Sequence, residues 1–320
     1  MEFFYDFYHH FKGNIDLFCM DHCSQGLSGR WSKHIDRGWA ADFAHYADDA
    51  EHFVDEIVLE GRGGGSAKED IYIIGHSMGG LIASMLVERN PGLFDKVVFS
   101  SPMFAVRGIE GVPYPIFRLI AVVGAKLLGK ELDFVPGAGP RKDHLVDSVE
   151  DGNQCCSCQA RLDNWNYVRK EHPLTWLGGV TWGWIHTSNQ YRVTSNTITA
   201  EQVDAFEKSD ILLLQCEKEK IVCNKTMDQF NDTVRTSRKV PIAGSLHEAF
   251  FEIDTIRDFT ISTVVDFLQA KKTGVFKERK FPKPPTRAQR NFASAVLQLL
   301  LLLFCCYFLY RQLMWFAGAL

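Results

Sequence analysis

Ser77 stands at the centre of a Gly-x-Ser-x-Gly pattern at positions 75–79. An apolar run at Ile71–Ile74 precedes the pattern, and a helix is predicted from Gly79 to about Arg89, so the serine lies where a strand turns into a helix. Such a turn strains the backbone of the serine, requires small neighbours two residues away, and raises the hydroxyl above the sheet edge. The pattern predicts nucleophilic catalysis by Ser77, with the backbone N–H of Met78 directed at a developing oxyanion.

A serine hydroxyl needs a general base, and a base histidine needs a carboxylate to orient it. In the chain order serine, acid, histidine, His247 has the expected position, after the last predicted strand and before the last predicted helix. The other histidines precede Ser77, fall in a central insertion, or lie in turns near the sheet edge. His22 and His76 belong to this last group and are expected to shape the site rather than act as the base.

The acid is expected in the loop after the strand Asp210–Gln215, where the chain offers Glu217 and Glu219. Two carboxylates two residues apart in a loop cannot both face one histidine, and their spacing alone does not choose between them. Asp228 is a more remote alternative.

Short apolar strands alternate with helices along the chain. The predicted strands are Asn14–Asp21, Ile71–Ile74, Lys96–Ser100, Asp210–Gln215 and Arg238–Ile242. The predicted helices cover residues 42–60, 79–89, 200–207, a segment from about 226, and about 256–270. This alternation predicts an α/β fold with a mostly parallel sheet and helices on both faces. Residues 102–191 break it, contain several prolines and most of the tryptophans, and predict a helical lid over the serine.

The composition excludes some classes of protein. The chain has 320 residues, 46% of them hydrophobic, and a net charge of -4, so it lacks the basic excess that nucleic-acid binding usually needs. Its nine cysteines are irregularly spaced, which predicts reduced thiols rather than a disulfide framework. The cluster of Cys155, Cys156 and Cys158 lacks a second Cys/His pair at zinc-like spacing, so a loop is favoured over a metal site.

The C-terminal region predicts a membrane anchor. Residues 294–310 contain no charge and one polar amide, Gln298, and reach the short end of a membrane span. Residues 271–293 before them are basic and contain prolines, which predicts a linker on the cytosolic side, with the catalytic domain facing the cytosol. The alternative is an apolar helix docked on the domain, but the segment has no polar face at helical spacing, which favours the anchor.

Four blocks of sequence extend the pattern around the serine. They are MDHCSQGLSGR at 20–30, the block from Gly75 to Phe104, HPLTWLGGVTW at 172–182 and HEAFFEID at 247–254. Over about residues 1–270 the chain resembles the bacterial lysophospholipase and monoacylglycerol lipase family of α/β-hydrolases. The resemblance implies the α/β-hydrolase fold and a serine hydrolase that releases a fatty acid from a single-chain glycerolipid, with no metal or cofactor.

The resemblance also bears on the site. The family takes its acid from the pattern Glu/Asp-Arg-x-x-Asp-Asn, and Glu219 begins the segment in that register, with Cys223 in place of the second acidic residue. Glu219 is therefore the implied acid and Glu217 the alternative. The match begins inside the family's first helix, so the first strands and the loop that donates a second oxyanion N–H have no counterpart before Met1. Met78 is then the implied oxyanion donor.

These features divide the chain into a first part of the hydrolase core (1–101), a helical lid (102–191), a second part of the core (192–270), a linker (271–293) and an anchor (294–310). The predicted function is cleavage of the acyl ester of a lysophospholipid or monoacylglycerol through a Ser-His-acid triad. One alternative is a catalytically impaired, membrane-tethered scaffold. Another is acyl transfer or a different esterase reaction on the same triad.

Overall fold

A computed structural model of the chain describes residues 8–9, 11, 15–60, 70–107, 129–141, 147–194 and 197–272. The predicted anchor and all but the first two residues of the predicted linker lie outside these ranges. Within them, no helix is both long and apolar enough to cross a bilayer.

The sheet has four parallel strands in the order β1-β2-β3-β4. They are β1 (Tyr72–His76), β2 (Lys96–Ser100), β3 (Asp210–Cys216) and β4 (Ser237–Ile242). Each agrees with a predicted strand to within two residues at either end. The predicted parallel sheet is therefore confirmed for these strands.

Seven α-helices lie within the described ranges. They are α1 (Ala44–Phe53), α2 (Met78–Arg89), α3 (Gln159–Glu171), α4 (Trp182–Ser188), α5 (Ala200–Phe206), α6 (Asn224–Thr233) and α7 (Asp254–Gln269). A π-helical segment, Val54–Leu59, continues α1. The helix predicted over 42–60 is thus present, with a widened last part.

Two hydrophobic clusters cover the two faces of the sheet. Because successive side chains of a strand point to opposite faces, Val97 and Phe99 of β2 belong to one cluster and Val98 to the other. Helices α1, α2, α5 and α6 contribute to the first cluster, and α7 contributes to the second. The prediction of helices on both faces is confirmed, and this burial fixes the sheet edge that carries the site.

The predicted strand at Asn14–Asp21 is wrong, because residues 15–20 form no strand. A strand needs a hydrogen-bonded neighbour, whereas an apolar run in a sequence reports only burial. Here Ile15 and Met20 pack against different core clusters, while Leu17 and Phe18 between them are 40% and 39% exposed. The apolar residues at the two ends of this segment pack against the core, and within the described ranges the segment does not hydrogen-bond to a neighbouring strand.

The predicted insertion is only partly described. Helices α3 and α4 and the short 3-10 turns Pro173–Thr175 and Asn189–Tyr191 lie in it, whereas residues 108–128 and 142–146 are outside the described ranges. Single bridges join Gly38 to Val180 and Phe134 to Thr181. The helical content agrees with the expectation, and the role of this segment as a lid stays a prediction.

Candidate active site

Ser77 occupies a strained turn between β1 and α2. Its backbone angles are φ 51° and ψ -119°, outside the regions that a residue with a Cβ ordinarily adopts. Four backbone hydrogen bonds hold this conformation: Ser77 N–H donates to Ser100 O at 3.0 Å, and Ser77 O accepts from Met103 N–H at 2.8 Å, Gly80 N–H at 3.0 Å and Leu81 N–H at 3.3 Å. Strain of this kind costs about 1–3 kcal/mol and persists only where the surrounding structure enforces it.

The turn needs glycine at two positions, and only one of them was expected. A Cβ on Gly75 would lie 2.6 Å from the carbonyl oxygen of Gly79, so the expectation of a small residue is correct there. A Cβ on Gly79 would meet nothing within 4 Å, so the expectation is wrong at that position. The close approach falls on the next residue, since a Cβ on Gly80 would lie 2.6 Å from Cβ of Pro102.

The structure brings His247 and Glu219 together. The Nδ1–H of His247 donates to Oε2 of Glu219 at 2.7 Å, and both side chains are almost completely buried. The other carboxylate oxygen accepts the backbone N–H groups of Ile221 at 2.7 Å and Val222 at 3.2 Å. This fixes the histidine tautomer and leaves Nε2 of His247 as the nitrogen able to accept a proton.

The pKa of Glu219 lies below its ordinary value. Burial on its own would raise this pKa, but the hydrogen bond and charge of His247 and the two backbone N–H groups outweigh it. Glu219 is therefore a carboxylate at neutral pH, which is the form that orients an imidazole and stabilises its protonated state.

The two alternative acids lie elsewhere. Glu217 is exposed, and its carboxylate accepts the backbone N–H of Gly244 at 2.7 Å. Asp228 accepts from Gln215 and forms an ion pair with Lys239. Sequence spacing did not show which of these carboxylates orients His247. In the structure, Glu219 alone of the three contacts His247.

The residue before Ser77 packs against His247. The ring of His76, the residue before the serine, has its centroid 4.8 Å from that of His247. Among the described residues no hydrogen bond joins the Ser77 hydroxyl to His247. Catalytic hydrogen bonds are often long before substrate binds, so this arrangement is compatible with proton transfer. Met78 is the first residue of α2, so its N–H has no acceptor within the helix and can bind an oxyanion.

A second histidine–carboxylate pair lies beside the first. Nε2 of His76 is 2.9 Å from Oε1 of Glu248, the residue after His247. Burial would lower the pKa of His76, but the charge of Glu248 outweighs it and the pKa is raised. Burial would raise the pKa of Glu248, but the charge of His76 outweighs it and the pKa is lowered. His76 therefore lies beside His247 and pairs with Glu248, in agreement with its expected place near the site. Glu248 was not among the predicted site residues.

The loop that carries Glu219 is held by residues that directly follow β2. Val106 pairs with Val222 in an antiparallel bridge, and Arg107 N–H donates to Ile221 O at 3.0 Å. The Arg107 guanidinium also donates to the backbone carbonyl of Glu219 at 2.6 Å. Arg107 is therefore a positioning residue for the acid. Arg107 could not be identified from sequence, because its contact with Glu219 joins residues 112 positions apart.

The loop that carries His247 is held by the cysteine-rich loop. The N–H groups of His247 and Glu248 donate to the carbonyls of Gln154 and Cys155, at 3.4 and 2.7 Å. Glu252, which is fully buried, joins the two loops by accepting from the N–H of Leu246 and from both the N–H and the hydroxyl of Ser157. Glu252 is therefore a positioning residue for the base, and it was not among the predicted site residues.

The described cysteines are all free, as the sequence predicted. Burial raises the pKa of Cys155 to about 12 and that of Cys156 to about 11, so both remain protonated thiols near neutral pH. Within the described part of the chain, Cys155, Cys156 and Cys158 are not part of any cluster of three metal-ligating groups.

Replacing Glu252 with Gln is expected to lower the free energy of unfolding by about 2–3 kcal/mol, because an amide turns one acceptor into a donor that faces N–H groups. The rate of ester hydrolysis should fall as well, since the His247 loop loses its support. Chemical denaturation and steady-state kinetics measure both effects. Glu150→Gln, at an exposed position in the insertion that also carries Ser157, is the matched control and should behave as wild type. A Glu252→Gln variant as stable as this control would contradict the positioning role.

The chain is similar to known hydrolases. The sequence profile of the family described as serine aminopeptidase, S33 (Hydrolase_4) matches residues 3–254. The chain is 28% identical over 272 residues to the probable lysophospholipase L2 of Haemophilus influenzae, covering 84% of this chain and 79% of that protein. It is also 28% identical over 278 residues to lysophospholipase L2 of Escherichia coli K12, covering 83% and 75%.

Solved structures show the same fold. A soluble variant of monoglyceride lipase from Saccharomyces cerevisiae superposes with a TM-score of 0.59 at 18% identity, covering 85% of this chain and 83% of that one. A carboxyl esterase from Bacillus coagulans superposes with a TM-score of 0.51 at 16% identity, covering 78% of each chain. At these identities the likeness concerns the fold. Since the family profile spans most of the chain, including the serine turn and His247, the chain belongs to the S33 serine aminopeptidase family of α/β-hydrolases.

Proposed function

We propose that the chain is a serine hydrolase in which Ser77, His247 and Glu219 form the catalytic triad. The observation that supports this most strongly is the buried hydrogen bond from Nδ1–H of His247 to Glu219, together with the strained turn of Ser77, whose preceding residue His76 packs against the ring of His247. A buried histidine with one nitrogen engaged by a carboxylate and the other uncommitted is the arrangement that a general base needs.

The proposed reaction proceeds in two stages. Nε2 of His247 takes the hydroxyl proton as Ser77 Oγ attacks the ester carbonyl, and the backbone N–H of Met78 stabilises the oxyanion. The protonated His247 then gives that proton to the leaving alcohol, which leaves an acyl-serine. Water, deprotonated by His247, attacks the acyl group, and the protonated His247 returns the proton to Ser77 Oγ as the bond to the serine breaks and the fatty acid is released.

The proposed substrate class is a lysophospholipid or a monoacylglycerol. The support comes from the relatives, two of which are named lysophospholipase L2, and from the apolar side chains of the predicted lid. A single acyl chain with a polar head suits a serine approached beneath an apolar cover, because the chain can be buried while the head stays in water.

Substrate class is tested by incubating the purified chain in detergent with lysophosphatidylcholine, monoacylglycerol and diacyl phosphatidylcholine that carry the same acyl chain. Fatty acid release from at least one single-chain lipid is expected to exceed that from the diacyl lipid by about tenfold or more in kcat/KM. Faster turnover of the diacyl lipid would contradict the proposed class. Adding an alcohol acceptor distinguishes acyl transfer, since a transferase would form the new ester in preference to free fatty acid.

We also propose that residues 294–310 attach the enzyme to a membrane with the catalytic domain in the cytosol. The support is the uncharged apolar run and the basic segment that precedes it. Deleting residues 294–320 should move the protein from the membrane pellet to the supernatant after cell fractionation. Deleting only residues 311–320 is the control and should leave it in the pellet. Equal solubility of the full chain and the longer deletion would contradict the anchor.

A further inference from the structure

Three groups able to bind a metal ion converge beside the serine turn. They are His76, His247 and Glu248, and one ligand atom from each lies within 4.8 Å of the others. Nε2 of His76 and Oε1 of Glu248 are already 2.9 Å apart. This is the one such group of three within the described part of the chain.

The hydrogen bonds around the two histidines leave nitrogens that can bind a metal ion. His247 uses Nδ1 for Glu219, so Nε2 is the nitrogen left for a metal, and a carboxylate behind a ligating histidine is the usual second partner of a metal-bound imidazole. Both ring nitrogens of His76 are buried and make no hydrogen bond of good geometry, although Nε2 lies 2.9 Å from the Glu248 carboxylate. A metal ion between Nε2 of His76 and Oε1 of Glu248 would replace this ion pair with two metal–ligand bonds.

The local charge also suits a dication. Histidine binds metals as neutral imidazole, so Glu219 and Glu248 together would supply two negative charges to a divalent ion. The Arg107 guanidinium donates to the backbone carbonyl of Glu219, not to its carboxylate. Two imidazoles and one carboxylate match the ligand set of zinc, whereas magnesium and calcium prefer oxygen ligands.

We propose that His76, His247 and Glu248 bind one Zn²⁺ ion, and that this ion inhibits the hydrolase by occupying Nε2 of His247. Zinc ligands lie about 2.0–2.2 Å from the metal, so neighbouring ligand atoms of a tetrahedral site are about 3.4 Å apart. Small side-chain rotations would bring the present separations, 2.9 Å between His76 and Glu248 and none above 4.8 Å, to that value. The binding is independent of the proposed function, whereas the inhibition rests on His247 being the base.

Binding is tested by isothermal titration of the full chain in detergent, first stripped of metal with a chelator. One Zn²⁺ is expected to bind through this site, and His76→Ala and Glu248→Gln should each weaken its binding at least about tenfold, since even outer-shell partners are worth 10–100-fold. His52→Ala is the matched control, because His52 pairs with Glu56 on the surface at 3.5 Å, and its affinity should match wild type. Glu248→Gln preserves side-chain shape and remains informative if His76→Ala does not fold.

Cobalt distinguishes this site from the thiols. Co²⁺ bound by His76, His247 and Glu248 should lack thiolate-to-metal absorption. Binding that persists unchanged in both variants, or that shows thiolate absorption alone, would overturn the proposal, as would the absence of saturable binding to the wild type.

Inhibition is measured as the rate of hydrolysis of a short acyl ester in the presence of Zn²⁺. For the wild type and for each variant, this rate is compared with the rate of the same protein in chelator. Reversible inhibition of the wild type that saturates with Zn²⁺ binding, and is lost in the two variants, is the expected result. Binding that the variants abolish, without any inhibition of an active wild type, would support the metal site and contradict the role of His247 as the base.

Discussion

Replacing Ser77 with Ala is expected to lower kcat for ester hydrolysis by about a million-fold, the size of effect seen when a serine nucleophile is removed from a triad. The reason is that no acyl-enzyme can form, and only the oxyanion donor and substrate binding remain. Steady-state hydrolysis of a short acyl ester by wild type and variant gives the ratio. Ser101→Ala is the matched control, because Ser101 lies at the same sheet edge and also has a positive φ, of 40°. Comparable losses in the two variants would contradict the assignment of Ser77.

The backbone strain at Ser77 adds a second measurement. Alanine keeps the Cβ and therefore the cost of a φ of 51°, whereas glycine adopts positive φ freely. Ser77→Gly should therefore be more thermally stable than Ser77→Ala by about 1 kcal/mol, while both are inactive. A Ser77→Gly variant less stable than Ser77→Ala would contradict strain at this turn, because only the extra conformational entropy of unfolded glycine would then remain.

Replacing Glu219 with Gln is expected to lower kcat by about ten-thousand-fold, because an amide no longer holds the productive tautomer of His247 and cannot stabilise its protonated form. Glu217→Gln is the matched control in the same loop. Its carboxylate is exposed and contacts Gly244 rather than His247, so its kcat should stay close to that of wild type. A larger loss in Glu217→Gln than in Glu219→Gln would reverse the assignment of the acid.

The parts of the site that follow from local geometry could be predicted from sequence. The turn at Ser77 needs glycine at position 75 and lies between an apolar strand and a helix, and both features are visible along a short segment. Strands β2 and β3 after it were also predictable, because buried parallel strands are apolar along most of their length. The apolar run at residues 15–20 shows the limit of this reasoning, since burial does not imply pairing.

The parts that depend on contacts between distant segments could not be predicted. Spacing did not separate Glu217 from Glu219, because the choice depends on the path of a loop around His247. Glu252 looks like an ordinary acidic residue before a helix, but its partner Ser157 lies 95 residues earlier in the chain. The sequence also gave no reason to expect that Glu248 would meet His76.

The most direct test of the central claim is to treat the full chain with an active-site fluorophosphonate and locate the adduct by mass spectrometry. We expect one phosphonylated residue, Ser77, in the wild type and no adduct in Ser77→Ala. Labelling of His247→Ala should be much slower, because the serine then has no base. An adduct on another residue, such as Ser101, or labelling that survives in Ser77→Ala, would contradict the central claim.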